Sequence, residues 1–454
     1  LNTDGWILWR LSARGRWVIF NSGRLIRVFD MDADPPREFT TPQGIRSTVG
    51  SNPGIGTCER WIIDYRGLST SVATRHIYDL NDRGQGPCFS LDSSNTILKT
   101  SSSGDWLVGV HSRDGQDILR AWNLPSAKQG NDAYRDLAHL PTRKPGRQRF
   151  WLGEETDSLV ALTRDGLLAW DLSQIEKQPE TLSTGSPVVE VRGVPQTRQV
   201  WWLISNIGSV WWREATDRCF LVPLDAPLGQ RPRLVTSSHP VLYDGQFLVE
   251  QLTNSYWLTD FTQHPPVKQP LIARQEHGII GPLLLASESR WVLATIVRQF
   301  DLPTKLTPEA RLVSLDRQRA SIVPFPLCGT YWLSGNQRWL VGLSGDYVKY
   351  WNLRSDPTPA GDGDIKGFSG QVRESCLADR RWLILLNERR QAYFVDLESD
   401  AELCAVPFFR LGDGKHSPHD EVSAAGKHVL LAMKQPATAS VWHVSSFENW
   451  KRAD

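Results

Sequence analysis

Long apolar runs are missing from this 454-residue sequence, and so is an excess of charge of either sign. No stretch approaches the roughly 18 consecutive apolar residues a membrane helix needs. The opening residues Leu1-Asn2-Thr3-Asp4-Gly5-Trp6 carry neither the basic start nor the apolar core of a signal peptide. With 51 basic and 50 acidic side chains the net charge is +1, which removes the global electrostatic reason to expect nucleic acid or an acidic membrane as partner. Cysteine is sparse and dispersed: Cys58, Cys88, Cys219, Cys328, Cys376 and Cys404 lie at least 28 residues apart, with no C-x-x-C pair. That spacing excludes a zinc ribbon and a dense disulfide framework, and it fits buried thiols in a reducing, cytoplasmic compartment. Helical stripes of period 3.6 are also lacking, because turn residues interrupt the chain almost every ten residues. The chain starts with Leu and enters a strand pattern within about five residues, so further sequence upstream of Leu1 is expected.

What is present is a hairpin, written again and again. Its clearest copy is Arg338-Trp339-Leu340-Val341-Gly342-Leu343, the turn Ser344-Gly345-Asp346, and Tyr347 to Leu353, two apolar β-rich runs around turn chemistry. The first run of each copy begins at Trp17, Trp61, Trp106, Leu159, Val200, Phe247, Trp291, Trp339, Trp382 and His428, a period of about 41 to 53 residues. Polar pairs such as Gly15-Arg16, Glu59-Arg60, Ser289-Arg290 and Arg380-Arg381 introduce it. An aromatic element ending in Asp or Asn follows: Val28-Phe29-Asp30-Met31, Ile77-Tyr78-Asp79-Leu80, Ala121-Trp122-Asn123-Leu124, Ala169-Trp170-Asp171-Leu172, Tyr350-Trp351-Asn352-Leu353, Phe394-Val395-Asp396-Leu397, with Val441-Trp442-His443-Val444 last. The units at Leu159, Val200 and Phe247 are degenerate, the fifth reading as Val200 to Ile204 and Ser209 to Trp212 around Ser205-Asn206-Ile207-Gly208.

With this period and this strand ending, the chain resembles the WD40-repeat β-propeller family over essentially its whole length. The resemblance implies an all-β fold of about ten four-stranded blades. In the unit at Trp339 the strands would be Thr330 to Leu333, Arg338 to Leu343, Tyr347 to Leu353 and Ile365 to Phe368. Ten blades exceed one ordinary ring. The last unit stops at a third strand, Ala439 to Val444, and propellers of this family close by borrowing an outer strand from the other chain end, which removes an exposed sheet edge. Arg135 to Leu140 is the candidate. The expectation is therefore a seven-bladed propeller over residues 133–454, a linker at 125–132, and three blades of a second, incomplete propeller at 1–124, with a single ten-bladed ring as the rival.

Members of the family often hold a blade rigid with a buried relay from a third-strand Trp through Ser or Thr to His, oriented by a turn Asp. Here Ser344, Asp346 and Trp351 match three of its roles, and Asp165 with Trp170, or Asp117 with Trp122, match in part. The Asp-to-Trp spacing is five where the family commonly has six, and the Gly-His pair before the first strand is missing. These residues are read as structural. His416-Ser417-Pro418-His419-Asp420 is the densest set of potential metal ligands, yet a Pro-containing turn collects such residues anyway, and no metal is expected there. Gly361-Asp362-Gly363-Asp364 lacks the twelve-residue oxygen spacing of a calcium loop, and Gly54-Ile55-Gly56 lacks the third glycine of a dinucleotide fingerprint. Gly-x-Ser-x-Gly, a Walker motif and His-Glu-x-x-His are absent. No enzyme active within these residues and no cofactor is expected. The strongest basic run, Thr142 to Arg149, contributes Arg143, Lys144, Arg147 and Arg149, read either as a solvated loop or as a surface for phosphate, nucleic acid or an acidic peptide.

The expected function is a non-catalytic scaffold that binds a protein or peptide through loops held at fixed spacing, the connections Arg37 to Gly56 and Lys128 to Asp132 being the first places to look. The alternative is the sensor region of a larger signalling protein whose kinase, NTPase or protease lies on the same full-length chain, upstream. Neither reading involves a membrane or nucleic acid.

Overall fold

The computed structural model describes residues 8–447 except 13–14, 22–24, 34–36, 39–44, 47–53, 56–59, 66–74, 83–87, 93–94, 130–133, 142–148, 154–155, 184–185, 196–206, 217, 225–232, 236–239, 244–245, 253–254, 264, 273–277, 287–290, 300–305, 316–321, 326–327, 329, 345–346, 355–362, 400–402, 411–420, 426 and 434–437. These residues form ten successive antiparallel sheets: eight of four strands, the first of five, and the last of three. Within each, the strands follow one another in chain order as an up-and-down meander.

Sheet 1 is Leu8–Leu11, Trp17–Asn21, Leu25–Asp30 and Arg37–Glu38, with Ile45–Arg46 also on the third strand. Sheet 2 is Gly54–Ile55, Trp61–Tyr65, Arg75–Asp79 and Phe89–Leu91. Sheet 3 is Asn95–Thr100, Trp106–Arg113, Gln116–Asn123 and Tyr134–His139, and sheet 4 is Phe150–Leu152, Ser158–Thr163, Gly166–Asp171 and Glu180–Thr181. Sheet 5 is Val188–Pro195, Ile207–Glu214, Cys219–Pro223 and Arg233–Val235; sheet 6 is Pro240–Tyr243, Phe247–Leu252, Ser255–Asp260 and Val267–Ile272. Sheet 7 is Gly278–Ala286, Trp291–Gln299, Leu306–Ser314 and Ile322–Phe325; sheet 8 is Thr330–Leu333, Trp339–Ser344, Tyr347–Asn352 and Gly363–Asp364. Sheet 9 is Val372–Ala378, Trp382–Asn387, Gln391–Asp396 and Ala405–Arg410, and sheet 10 is Glu421–Ala425, His428–Met433 and Thr438–His443.

The second strands read as unbroken apolar runs because both their faces are covered. Ser158–Thr163 and Trp382–Asn387 are buried at every position. The chain divides into two compact units, the first holding sheets 1–4 and 10, the second sheets 5–9 with residues 447–454. In the first, neighbouring sheets share cores: Leu430 with Val18, Phe20 and Phe29; Trp17, Ile19 and Val28 with Ile62 and Tyr78; Trp61 and Ile63 with Leu107 and Trp122; Val108 and Leu119 with Phe150, Leu159 and Trp170. In the second, Trp211 and Leu221 meet Tyr243 and Leu248, Trp291 and Leu312 meet Leu340 and Trp351, and Trp339 and Tyr350 meet Leu383 and Tyr393. Phe447 stacks on Phe394 and touches Trp382 and Phe408.

Several expectations need correction. The division into seven blades plus three does not hold, because the tenth sheet packs on the first. Arg135 to Leu140 does not complete the last sheet: its strand, Tyr134–His139, is the fourth of sheet 3. Nor is 125–132 a linker between rings. Leu124–Lys128 is a short helix, capped by Asn123 and carrying Pro125 in its first turn, that joins the third and fourth strands of one sheet. The outer strand of sheet 8 is Gly363–Asp364, not Ile365 to Phe368. Ile365 turns inward as a core residue, and Lys366 forms a parallel bridge to Cys404 of sheet 9. In sheet 5 the hairpin is Ile207–Glu214 with Cys219–Pro223, so Ser209 to Trp212, expected as the third strand, belong to the second, while Val200 to Ile204 lie outside the described residues; Trp211 and Trp212 are both fully buried.

Candidate functional site

Two ends of each sheet are distinct: the end where the second strand starts and the third finishes, and the end where a hairpin joins them. The first end is built the same way in many sheets. The residue opening the second strand pairs with the one closing the third: Trp17 with Asp30, Trp61 with Asp79, Trp106 with Asn123, Trp339 with Asn352, Trp382 with Asp396. Two residues before the Trp, the backbone enters the left-handed region, at Gly15, Gly104, Gln337 and Arg380, which turns the chain sharply into the strand. The closing Asp or Asn then accepts the N–H two residues on: Asp30 from Asp32 at 3.1 Å, Asp79 from Asn81 at 2.9 Å, Asp260 from Thr262 at 2.9 Å, Asn352 from Arg354 at 3.1 Å and Asp396 from Glu398 at 3.0 Å. This is the Asx turn such short side chains form readily.

Arg supplies the clasp over that turn. Arg16, Arg60 and Arg381 each reach the closing carboxylate with two N–H groups, at 3.2 and 2.9 Å, 3.3 and 3.2 Å, and 2.9 and 3.0 Å. Each guanidinium also lies over the following indole, 4.5 to 4.7 Å from its centroid. Indole N–H groups then tie one sheet to the next: Trp61 donates to the Gly104 carbonyl at 2.6 Å, Trp291 to Leu353 at 2.9 Å and Trp339 to Ser399 at 3.2 Å. At sheet 2 the Lys128 ammonium adds a second cation 3.1 Å from Asp79. Burial pushes the Asp79 carboxyl up, but the Arg60 guanidinium, the Asn81 N–H and the Lys128 ammonium outweigh it and hold the group below the usual carboxylate range. The polar pair and the aromatic-Asp ending are separate signals in the sequence; Arg-Trp and Asp together, at one pairing register, make the clasp.

The hairpin end differs from sheet to sheet. At sheet 3 Asp117 accepts from the Ser112 hydroxyl at 2.6 Å and pairs with Arg149 at 2.6 Å. Burial raises its pKa, and Ser112 and Arg149 more than offset that and lower it. Arg149 also donates to the Pro141 carbonyl at 3.2 Å and is a buried side chain, so it is turned inward and is not part of an exposed basic surface. Trp122, read as the partner of Asp117, sits in the core between sheets 2 and 3. Asp165 is exposed at its turn, where its N–H donates to Thr163 Oγ1 at 3.2 Å, and Trp170 lies in the core between sheets 3 and 4. Trp351 is fully buried between sheets 7 and 8, against Cys328 and Gly342. Ser344 ends its strand, while Asp346, Arg143, Lys144, Arg147 and the run from His416 to Asp420 lie outside the described residues.

Among the described residues no three His, Cys, Asp or Glu side chains gather as a metal would require, and no helix is long and apolar enough to cross a membrane. Burial pushes the Cys376 thiol far above its ordinary range, which removes it as a nucleophile. What the arrangement does offer among the described residues is a cross-braced end in sheets 1, 2 and 9 and differing hairpin ends in sheets 3 and 4.

No known protein family and no curated protein matches the chain in sequence. Among solved structures, a eukaryotic initiation factor aligns with 84% of this chain and 93% of its own length, at 12% identity and a TM-score of 0.42. Sqt1 of Saccharomyces cerevisiae aligns with 90% and 97% at 13% identity and 0.34, and Hsv2 of Kluyveromyces lactis with 65% and 92% at 9% and 0.28. The successive meanders, packed face to face on neighbours within each unit, decide the fold. They are WD40-like propeller blades.

Proposed function

We propose that the chain is a non-catalytic interaction scaffold that holds an acidic segment of a partner protein at the hairpin end of sheets 3 and 4. The observation that supports this is the Arg149 side chain. By pairing with Asp117 and with the Pro141 carbonyl it ties together the two residues that flank segment 142–148. Three of the four cations of the basic run, Arg143, Lys144 and Arg147, then lie in a segment whose two flanks are fixed. A binding loop on a rigid base loses less entropy on association than a free one, and this is the general advantage of a propeller as a platform. Dispersed cysteines suit a cytoplasmic setting for such a scaffold.

The test is binding of a fluorescent oligoglutamate peptide to the full chain, read by anisotropy. R143Q/K144Q/R147Q is expected to weaken binding about tenfold or more, and raising salt from low to physiological strength to weaken it in the unmodified chain only. Equal affinity of the two proteins sinks the assignment. R149Q is expected to lower binding less and thermal stability more.

A further inference from the structure

The tenth sheet writes the clasp in different residues. Lys427-His428 stands where the others have Arg-Trp, and His443 stands where they have Asp or Asn, with His428 paired to His443 in the register that pairs Trp61 with Asp79. The roles are kept. The His428 ring faces the backbone of Gly15, in the turn of sheet 1, in the place where Trp61 meets Gly104 in the turn of sheet 3. His443 Nδ1 accepts the Ser445 N–H at 3.2 Å and meets the Ser445 hydroxyl at 2.7 Å, the place of the Asx turn. The imidazoles meet edge to face, centroids 5.0 Å apart. His428 is 5% exposed, and its Nδ1 is buried with no hydrogen-bond partner among the described residues.

We propose that this histidine pair is a pH-sensitive clasp between the tenth sheet and the first, latched while the buried His428 ring is neutral and released when that ring takes up a proton. Imidazole is the side chain that changes charge between about pH 5 and 8. A proton on His428 creates a second N–H donor in a buried site that offers it no acceptor among the described residues. The other charged groups acting on His428 are Asp30 and Asp32 at the end of sheet 1's third strand, and Lys427 precedes it in the turn that enters its strand. Both carboxylates are engaged by Arg16, at 2.9 and 3.8 Å. Burial first, then His443, push the His428 ring below the ordinary imidazole range, against the opposing pull of Asp32, the Gly15 backbone and Asp30. The unfolded chain therefore takes up the proton at higher pH than the native one. The seam is fully latched above about pH 6.5 and weakens as pH falls from there toward the folded value.

Hydrogen exchange of the full chain between pH 8 and 5, corrected for intrinsic rates, tests this. Protection of His428–Met433 and Trp17–Asn21 is expected to fall by up to about tenfold per pH unit below 6.5 for each proton taken up, while Trp382–Asn387 holds. H428Q/H443N, which keeps an acceptor of the kind Asn352 supplies in sheet 8, is expected to flatten the fall. A seam unaffected by pH, or an equal fall in the double variant, overturns the proposal. Should that variant not fold, NMR titration of the ring protons in the unmodified protein decides: a His428 midpoint at or above the ordinary imidazole value also overturns it.

Discussion

Sheets 8 and 9 lie against each other and close their third strands differently, on Asn352 and on Asp396. Arg338 and Arg381 occupy matching positions, stacked on Trp339 at 4.8 Å and on Trp382 at 4.5 Å. Both closing residues accept the N–H two positions on. Asp396 is gripped by the Arg381 guanidinium at two points. The difference separates what the two blades share from what one of them adds. Common to the two sheets are a stacked Arg-Trp pair and an acceptor for the turn; the carboxylate charge is an addition. The tenth sheet goes one step further, replacing indole and carboxylate together with histidines.

The largest effect is expected where that shared pair is broken. Trp382 is 1% exposed and packs against Phe394 and Phe447. W382A is expected to cost about 3 to 5 kcal/mol in urea unfolding. W339A, which also loses the bond to Ser399, should fall in the same range despite its neutral neighbour Asn352. A difference of more than about 2 kcal/mol between the two would mean that the carboxylate matters to how the indole packs.

Sheet 2 carries the strongest charged version of the clasp, with two cations on Asp79. D79A is expected to cost roughly 2 to 3 kcal/mol, less than for a fully buried pair because both cations keep some water. The carboxyl's folded pKa is depressed, so its contribution is complete above the unfolded value near 4 and is lost as pH falls through the folded value. D79N should therefore flatten the acid limb of a stability-versus-pH curve, and an unchanged limb would show that Asp79 does not set it.

A direct backbone link between the two compared sheets gives a smaller, sharper test. Gly367 has φ of +78°, and a Cβ there would run into the Ala405 carbonyl. That carbonyl belongs to the strand bridged by Lys366 and Cys404, beside the Ala405 N–H bond to Lys366 at 2.7 Å. G367A is expected to cost about 1 to 3 kcal/mol and to speed exchange of the Ala405 amide. No change in that amide would show the parallel bridge to be dispensable.

The blades were legible because they repeat. Second strands such as Ser158–Thr163 and Trp382–Asn387 are buried at every position, so their apolar runs survive even where the words drift, and Trp339–Ser344 and Tyr347–Asn352 lie within a residue of where their residue types place them. The partition was not legible. Whether sheet 10 meets sheet 1 depends on Leu430 reaching Val18 and Phe20, a contact more than 400 residues apart that no local pattern encodes. Pro125 reads as a linker by composition, yet it is the first-turn proline of a five-residue helix inside a sheet. Arg149 looked like its basic neighbours in sequence, and only the approach of Asp117 from the preceding hairpin sets it apart. The clasp itself was half visible, because its partners lie 14 to 19 residues apart in sequence and meet only through strand pairing.

The smallest expected effects come from exchanging the two strand endings. Asp396 has a side chain only 7% exposed, and Arg381 covers it. D396N keeps the acceptor for the Glu398 N–H and loses the charged half of the clasp, which is worth about 1 kcal/mol for a partly exposed pair. N352D places a carboxylate at the register where Arg381 finds its partner, and a gain of about 0.5 kcal/mol is expected. Combining each exchange with Met at the matching Arg isolates the pair energy, since Met preserves the stem that lies on the indole. If coupling is equally small in both cycles, the repeated Asp serves its turn alone. A coupling near 1 kcal/mol that appears in sheet 8 only after N352D would show that the charge is a separable addition, one that sheets 1, 2 and 9 use and that the histidine pair of sheet 10 replaces with a group whose charge follows pH.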